Sequence, residues 1–415
     1  MTMDVRAALH DFLARERDAQ AAFLAELVKT PSDNPPGDCA PIAARAEQLL
    51  QARGLAVERH SPPAERVQRA GMISVVNLIA RRRFGAGPTV ACNAHGDVVP
   101  PGLGWSTDPY GAEIRDGRMY GRGVAVSKSD FATYTFALLA LEAAQAAGAR
   151  LAGTVELHFT FDEETGGEVG PQWLLEQGIS RPDYAISAGF SYGIVTAHNG
   201  CLHLEVEVIG KSGHAAQPER GIDALEAANA ILDELYRYRK ALAETRSKVS
   251  GIGHPTLVVG LIRGGINTNV VPDNVRFRLD RRIIPEEDPA AAESELRRLI
   301  ESAARGRPGI RCEIRRVLLA SPFVPRPGQE RIAQALARNA RAVFGVDVQA
   351  HGVPLYTDAR HYSAARVPTV LYGAGPRTLE EANGHRADEN LVLDDLYRAT
   401  EVVALTLLDL LQPAP

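Results

Sequence analysis

The sequence predicts an α/β protein in two parts, a mixed-sheet domain interrupted by a smaller inserted sandwich. Three observations predict it. At 415 residues the chain exceeds the size at which a single hydrophobic core keeps growing. Through the first 200 residues, strand-like runs alternate with runs of helical period, in the α/β manner. Between Cys201 and about Arg316 the order changes to βαββαβ, the ferredoxin-like pattern, which closes on itself as a sandwich. The expected division is 1–200 with 319–415 for the α/β domain and 201–318 for the insert.

In chain order, apolar residues recur at helical spacing from Val5 to Val28, and the turn cluster Pro31 to Gly37 stops that helix. Strands follow at Ser74 to Ala80 and Thr89 to Asn93, the second running into His95. The basic run Arg81-Arg82-Arg83 reads as the turn after the first strand. A helix from Ser129 to Ala147 precedes an alternating strand, Thr154 to Phe161, which delivers Asp162, Glu163 and Glu164. In the insert, strands are expected at Cys201 to Ile209, Thr256 to Ile262, Asn274 to Arg282 and Ile310 to Arg316, with helices at Ile222 to Ala243 and Pro289 to Ala304. The proline-rich stretch Ser321 to Gly328 reads as a linker back. Helix Glu330 to Phe344, strand Thr369 to Tyr372 and helix Leu393 to Leu411 complete the first domain.

Composition excludes several classes of function. A net charge of -5 leaves no basic footprint for nucleic acid. The apolar stretch Phe131 to Ala146 is too short to span a membrane and is interrupted by Glu142 and Gln145. From Met1 to Thr30, charged and apolar residues mix with no continuous apolar segment, so no secretory signal is expected. Cys39, Cys92, Cys201 and Cys312 form no C-x-x-C pair, which argues against a disulfide framework or a thiolate zinc site and suits a cytoplasmic location.

Chemistry concentrates at two strand ends. His95 and Asp97 stand two residues apart in VACNAHGDVVP; if His95 binds a metal, Asp97 accepts its other ring N–H and fixes the tautomer. Alone, the pair also fits a satisfied surface histidine. Adjacent acids Asp162, Glu163 and Glu164 repel one another unless something cationic lies between them, so one glutamate can hold a metal while its neighbour takes a proton from water. A solvated charged turn is the alternative, and the glycines of Thr165-Gly166-Gly167 favour a crowded site instead. His385 lies in a loop, EANGHRADENL, before the last helix. His214 in Gly210-Lys211-Ser212-Gly213-His214 and Asn269 in Asn267-Thr268-Asn269-Val270-Val271-Pro272 sit in segments that also fit plain turn chemistry.

In order and spacing these stretches resemble the dinuclear-zinc exopeptidases and amidohydrolases, the family of aminoacylase, acetylornithine deacetylase, succinyl-diaminopimelate desuccinylase and carboxypeptidase G. The matching segments are HGDVVP at His95, W-x-x-DPY from Trp105, DG-x-x-YGRG ending at Gly123, DEETGG at Asp162, GKSGHAAQP at Gly210, NVVPD at Asn269 and GHRADEN at Gly384. The resemblance implies an aminopeptidase-like (phosphorylase/hydrolase-like) mixed-sheet catalytic domain, with the insert serving as a lid through which such chains form homodimers. It implies His95 as a ligand of one metal with Asp97 as its orienter, Glu163 as general base, and Glu164 and His385 as ligands of the other metal. On the lid, His214 and Asn269 resemble residues that reach the scissile carbonyl, and Arg282 one that pairs a substrate carboxylate through its bidentate fork.

Two positions depart from the family pattern. Where GRG-A-x-D-x-K-G places a bridging aspartate this chain has Val126, and where D-Y-x-I-x-G-E-P places a glutamate it has Gly189. Two dications at ~3.5 to 4 Å repel on the order of 20 kcal/mol even at an effective dielectric of ~20, so anionic ligands must hold them together. With both carboxylates gone, one divalent metal is expected, zinc with cobalt or manganese as alternatives, on His95, Glu164 and His385. A second ion would need substitutes such as Asp130, one helical turn beyond Val126, or His198. The expected function is hydrolysis of an amide or other C–N bond in a small carboxylate-bearing molecule, as in a deacylase, dipeptidase or deaminase. Two alternatives stay open: an isomerase, lyase or condensing enzyme using Glu163 without a metal, and a binding protein on an inactive hydrolase fold.

Overall fold

The computed structural model describes residues 5–413, so Met1 to Asp4, the start of the N-terminal stretch read above, lie outside the described residues. The chain divides into two compact units. One takes the residues up to 196, 325–351 and those from 357 onward; the other takes 197–324 and 352–356.

In the first unit the central element is an eight-stranded mixed sheet. Its strands run in the order Val57–His60, Asn77–Arg83, Thr154–Thr160, Thr89–His95, Tyr184–Ser187, Thr369–Leu371, Ile194–His198 and Ala350–Val353. Thr89–His95 lies parallel to Thr154–Thr160 with His95 opposite Thr160, and parallel to Tyr184–Ser187 on its other side. Three strands therefore release their chains at one sheet edge, where open α/β sheets gather their ligands. That edge receives His95, the acids from Asp162 and the Ala188-Gly189 segment.

The helix Lys128–Ala146 is apolar nearly all round and correspondingly buried. Its Phe131 stacks on Phe159 of the sheet at 3.8 Å between ring centroids. Burial of this helix orients its first turn, which carries Asp130, toward the same strand ends.

Several local expectations change. The stretch from Val5 forms two helices, Val5–Arg15 and Arg17–Val28, parted at Glu16. The strand expected at Ser74 begins at Asn77 and includes Arg81, Arg82 and Arg83, which are paired with Glu156, Val155 and Thr154 rather than forming a turn. Charge explains the difference: Arg81 reaches both Glu58 and Glu156, and Arg82 reaches Glu142, so the guanidinium groups have acidic neighbours within the sheet and beside it.

The second unit carries the expected βαββαβ order. Its antiparallel sheet runs Thr256–Gly264, Asn274–Ile283, Gly200–Ile209, Arg311–Ala320, and the helices Ala224–Leu242 and Pro289–Arg305 pack on one face. Both helices start on designed caps. The Asp223 carboxylate accepts the N–H of Leu225 and Glu226, and Asp288 accepts that of Ala291 with Pro289 in the first turn. Leu202, Leu204, Val206 and Val208 face these helices, so period-two alternation sends Cys201, His203, Glu205 and Glu207 to the opposite face.

Candidate active site

The site of the first unit is assembled around one carboxylate. Buried Asp97 accepts the backbone N–H of Glu163 on Oδ1 at 3.2 Å and that of Glu164 on Oδ2 at 3.1 Å. The same Oδ1 lies 3.3 Å from His95 Nδ1, and Asn34 donates to Oδ2 at 2.9 Å. One aspartate thus orients the imidazole and fixes the backbone of both glutamates. Ser127 holds the other side of His95, accepting from its N–H at 3.2 Å and donating to its carbonyl at 3.1 Å.

With Nδ1 turned to Asp97, His95 Nε2 points at Glu163, 3.9 Å from Oε2. One donor atom each from His95, Glu163 and Glu164 lies within 4.8 Å of the others. His385, in the left-handed backbone region at φ 63°, brings Nε2 to 3.5 Å from Glu164 Oε1. That Oε1 is buried and accepts no hydrogen bond among the described residues. A buried carboxylate oxygen with no hydrogen-bond donor, 3.5 Å from the His385 imidazole and on a glutamate clustered with His95, fits a divalent cation.

The electrostatics agree with that fit. Burial pushes the Glu163 carboxyl well above the ordinary range, against the pull of His95, and the charges of Glu164, Asp358 and Asp97 push the same way. Burial disfavours a charged His95, yet its bond to Asp97 and the charges of Glu163, Asp97 and Glu164 outweigh this and raise its pKa. His95, Glu163 and Glu164 would thus exchange mutual repulsion and a bound proton for attraction to a divalent cation held among them.

Three residues with no assigned role in the sequence stand at this site. Asp358 is buried, and burial with the charge of Asp97 pushes its carboxyl up to about 7. Gly167, at φ 68°, lets Asp358 approach so closely that a Cβ there would lie 2.1 Å from Oδ1. Arg360, two residues on, donates to the Gly166 carbonyl. Glu389 pairs with Arg122 at 2.5 Å and accepts the N–H of Ala125 and Val126 at 3.1 and 3.2 Å. The sequence signals for these were D-x-R at the start of a short helix and the second acid, Glu389, of GHRADEN.

At the two departures, Val126 packs against the hydrophobic core. Gly189 is hemmed in, since a Cβ there would meet the Tyr372 nitrogen at 2.6 Å and the Leu371 carbonyl carbon at 2.7 Å. Asp130 accepts the N–H of Gly189 at 3.2 Å and of Ala374 at 2.6 Å, and it belongs to no cluster of three candidate ligands among the described residues. His198 falls in the second unit, its Nδ1 2.9 Å from the Asn199 carbonyl oxygen.

Within the second unit the loops of His214 and Asn269 meet. The Ala215 N–H donates to the Asn269 carbonyl at 3.0 Å and His214 bridges Val270, leaving both side chains exposed. Arg282 lies on the sheet, its Nε 3.0 Å from Asp280 Oδ1.

An imidazole and paired glutamates at the carboxyl edge of a mixed sheet define the class of divalent-metal hydrolases. The sequence profile of peptidase family M20/M25/M40 matches residues 91–409, and the chain belongs to this family. It is 30% identical over 370 residues to an acetylornithine deacetylase of Myxococcus xanthus, covering 88% of this chain and 90% of that one. To a succinyl-diaminopimelate desuccinylase of Nitratiruptor it is 26% identical over 328 residues, 76% and 84% of the two chains. Among solved structures, an M20 family metallo-carboxypeptidase from Sulfolobus solfataricus superimposes with a TM-score of 0.75 at 21% identity, covering 94% and 98%. Human carnosine dipeptidase 1 gives 0.74 at 18% identity over 99% of each chain. The family comprises hydrolases of amide and peptide-type bonds, deacylases and peptidases among them, and metal dependence is a property of the family.

Proposed function

We propose that this chain hydrolyses an amide bond in a small carboxylate-bearing substrate, deacylase-like, with one zinc ion held by His95, Glu164 and His385. The carrying observation is the convergence of His95, Glu163 and Glu164 within 4.8 Å, while Val126 and Gly189 offer no side-chain ligand and both oxygens of Asp130 accept backbone N–H groups. Zinc, or cobalt or manganese in its place, would supply Lewis-acid polarisation of the scissile carbonyl and acidify the attacking water.

The chain's own groups do the rest. Glu163 takes the proton from the water and passes it to the departing nitrogen. Asp97 keeps the His95 ring and the glutamate backbone in place. Residues 201–318 would act as the lid, with exposed His214 and Asn269 as substrate-contacting groups; Arg282, which the resemblance assigns to a substrate carboxylate, is held by Asp280 through Nε and Nη2. Edge strand Thr256–Gly264, with Val258, Leu261 and Ile262 more than half exposed, supports a homodimer formed through this domain. Four free cysteines support a reducing, cytoplasmic setting.

Metal analysis of protein purified without added metal, combined with turnover of N-acyl amino acids, tests the reading. One equivalent of metal that His95→Ala removes is expected, with activity lost on chelation and restored by zinc. Glu163→Gln should lower kcat by roughly 10²- to 10⁴-fold while keeping its metal. Two equivalents that both depend on His95, or full activity in a metal-free preparation, would sink the proposal.

A further inference from the structure

The second unit carries a separate cluster of soft and hard donors on the sheet face opposite its helices. Cys201 and His203 project from strand Gly200–Ile209, and Asp280 projects from the neighbouring strand, where it stands directly across from His203. Cys201 Sγ lies 3.1 Å from His203 Nε2, His203 Nε2 lies 2.9 Å from Asp280 Oδ2, and Sγ lies 3.8 Å from the same Oδ2. The three donor atoms therefore form a small triangle.

The identity of the shared atom decides what this triangle can do. In a nucleophilic relay the thiol and the carboxylate use opposite nitrogens of the imidazole, so that one accepts while the other donates. Here both approach Nε2. A single ring nitrogen carries at most one hydrogen, which can serve only one of the two neighbours at a time. The geometry does not transfer a proton from thiol to carboxylate; it converges three ligands on a point.

We propose that Cys201, His203 and Asp280 form a second metal site, distinct from the His95 centre, that takes a borderline-soft divalent cation of the zinc type. Around tetrahedral zinc, bonds of ~2.0 to 2.3 Å place the donors roughly 3.3 to 3.6 Å apart, close to the three separations observed. Thiolate, imidazole and carboxylate match zinc or cobalt better than magnesium or calcium, which prefer all-oxygen shells.

The surroundings supply the outer support that such a site needs. Arg282 holds the Asp280 carboxylate, its Nε at 3.0 Å from Oδ1 and Nη2 at 3.2 Å from Oδ2, and so fixes the orientation in which Oδ2 faces His203. Further along the same face, acids and bases are matched pair by pair, Glu205 with Arg278 and Arg315, and Glu207 with Arg276. Soft donors enter that ladder only at the Cys201 end. The His203 and Asp280 side chains are each about a third exposed, giving an ion access from solvent, whereas Cys201 is buried behind them. An ion held there links two adjacent strands at one end of the sheet.

Sulfur makes the test selective. The His95, Glu163, Glu164 and His385 cluster contains no thiol, Cys39 and Cys92 are buried in the first unit, and Cys312 packs on the helical side of the sheet. Full-length, metal-free, reduced protein is titrated with cobalt(II) chloride alone. A thiolate-to-cobalt charge-transfer absorption is expected, saturating by two equivalents in the wild type and at one in His95→Ala, bleached by zinc and absent in Cys201→Ser. Because Cys201 is buried and its replacement can disturb folding, Asp280→Asn provides a second arm at a partly exposed position. It should weaken cobalt binding, read on the same band, at least about tenfold. No charge-transfer band in the wild-type protein, a band that persists in folded Cys201→Ser, or unchanged cobalt affinity in Asp280→Asn would each overturn the proposal.

Discussion

The carboxylate of Asp130 accepts the backbone N–H of Gly189 at 3.2 Å, so an acid beside one departed ligand position is engaged by the backbone of that position. Ala374 takes its other oxygen at 2.6 Å, and burial pushes the Asp130 carboxyl up to about 7. Restoring a side chain at 189 therefore meets a filled volume. Gly189→Ala is expected to lose ~1 to 3 kcal/mol of stability in urea denaturation through overpacking against Leu371 and Tyr372. For the same reason, Val126→Asp with Gly189→Glu should not raise the metal content measured by mass spectrometry; a gain of one full equivalent would show that the volume opens.

Asp97→Asn replaces an acceptor-only group with an amide that must turn N–H₂ toward one of two backbone donors, those of Glu163 and Glu164. Metal affinity by calorimetry should fall roughly 10- to 100-fold, in the range for groups that orient metal ligands. Circular dichroism should remain that of the folded protein.

Gly167→Ala adds a Cβ 2.1 Å from Asp358 Oδ1 in a backbone conformation that L side chains rarely adopt. A loss of ~1 to 3 kcal/mol is expected in denaturation, together with displacement of the Glu163–Thr165 turn and a fall in kcat. Wild-type stability in this variant would mean that Asp358 moves aside freely.

Glu156 gives a pH signature away from the site. Burial raises its pKa, but hydrogen bonds from His158, Ser180 and Arg81 prevail and lower it from 4.5 to about 2. A carboxylate with a depressed folded-state pKa stabilises the fold above its unfolded value and loses that contribution as pH falls through the folded one. The stability difference between wild type and Glu156→Gln should be full above about pH 4.5, up to about 3 kcal/mol, and should vanish towards pH 2. A difference independent of pH over that window would assign the effect to packing instead.

Much of the site was legible because its residues are local to strand ends. His95 with Asp97, and Glu163 with Glu164, are close in sequence, and two parallel strands in register bring the two pairs together. The βαββαβ insert was legible because its central strand alternates and its two helices carry an apolar face at helical period. Asp358 and Glu389 were not. Asp358 lies 198 residues from Thr160, whose hydroxyl it faces, and Glu389 lies 267 residues from Arg122, and neither stands in a periodic run.

By itself the sequence determined the kind of protein this is, since ordered motifs and hydrophobic period are properties of short stretches of chain. It also determined which two carboxylates are gone. Only the tertiary structure decided what occupies their place. The Gly189 backbone lies against Tyr372, half-buried Val126 packs against the core and Asp130 turns to backbone donors, because close packing assigns that volume to atoms distant in sequence.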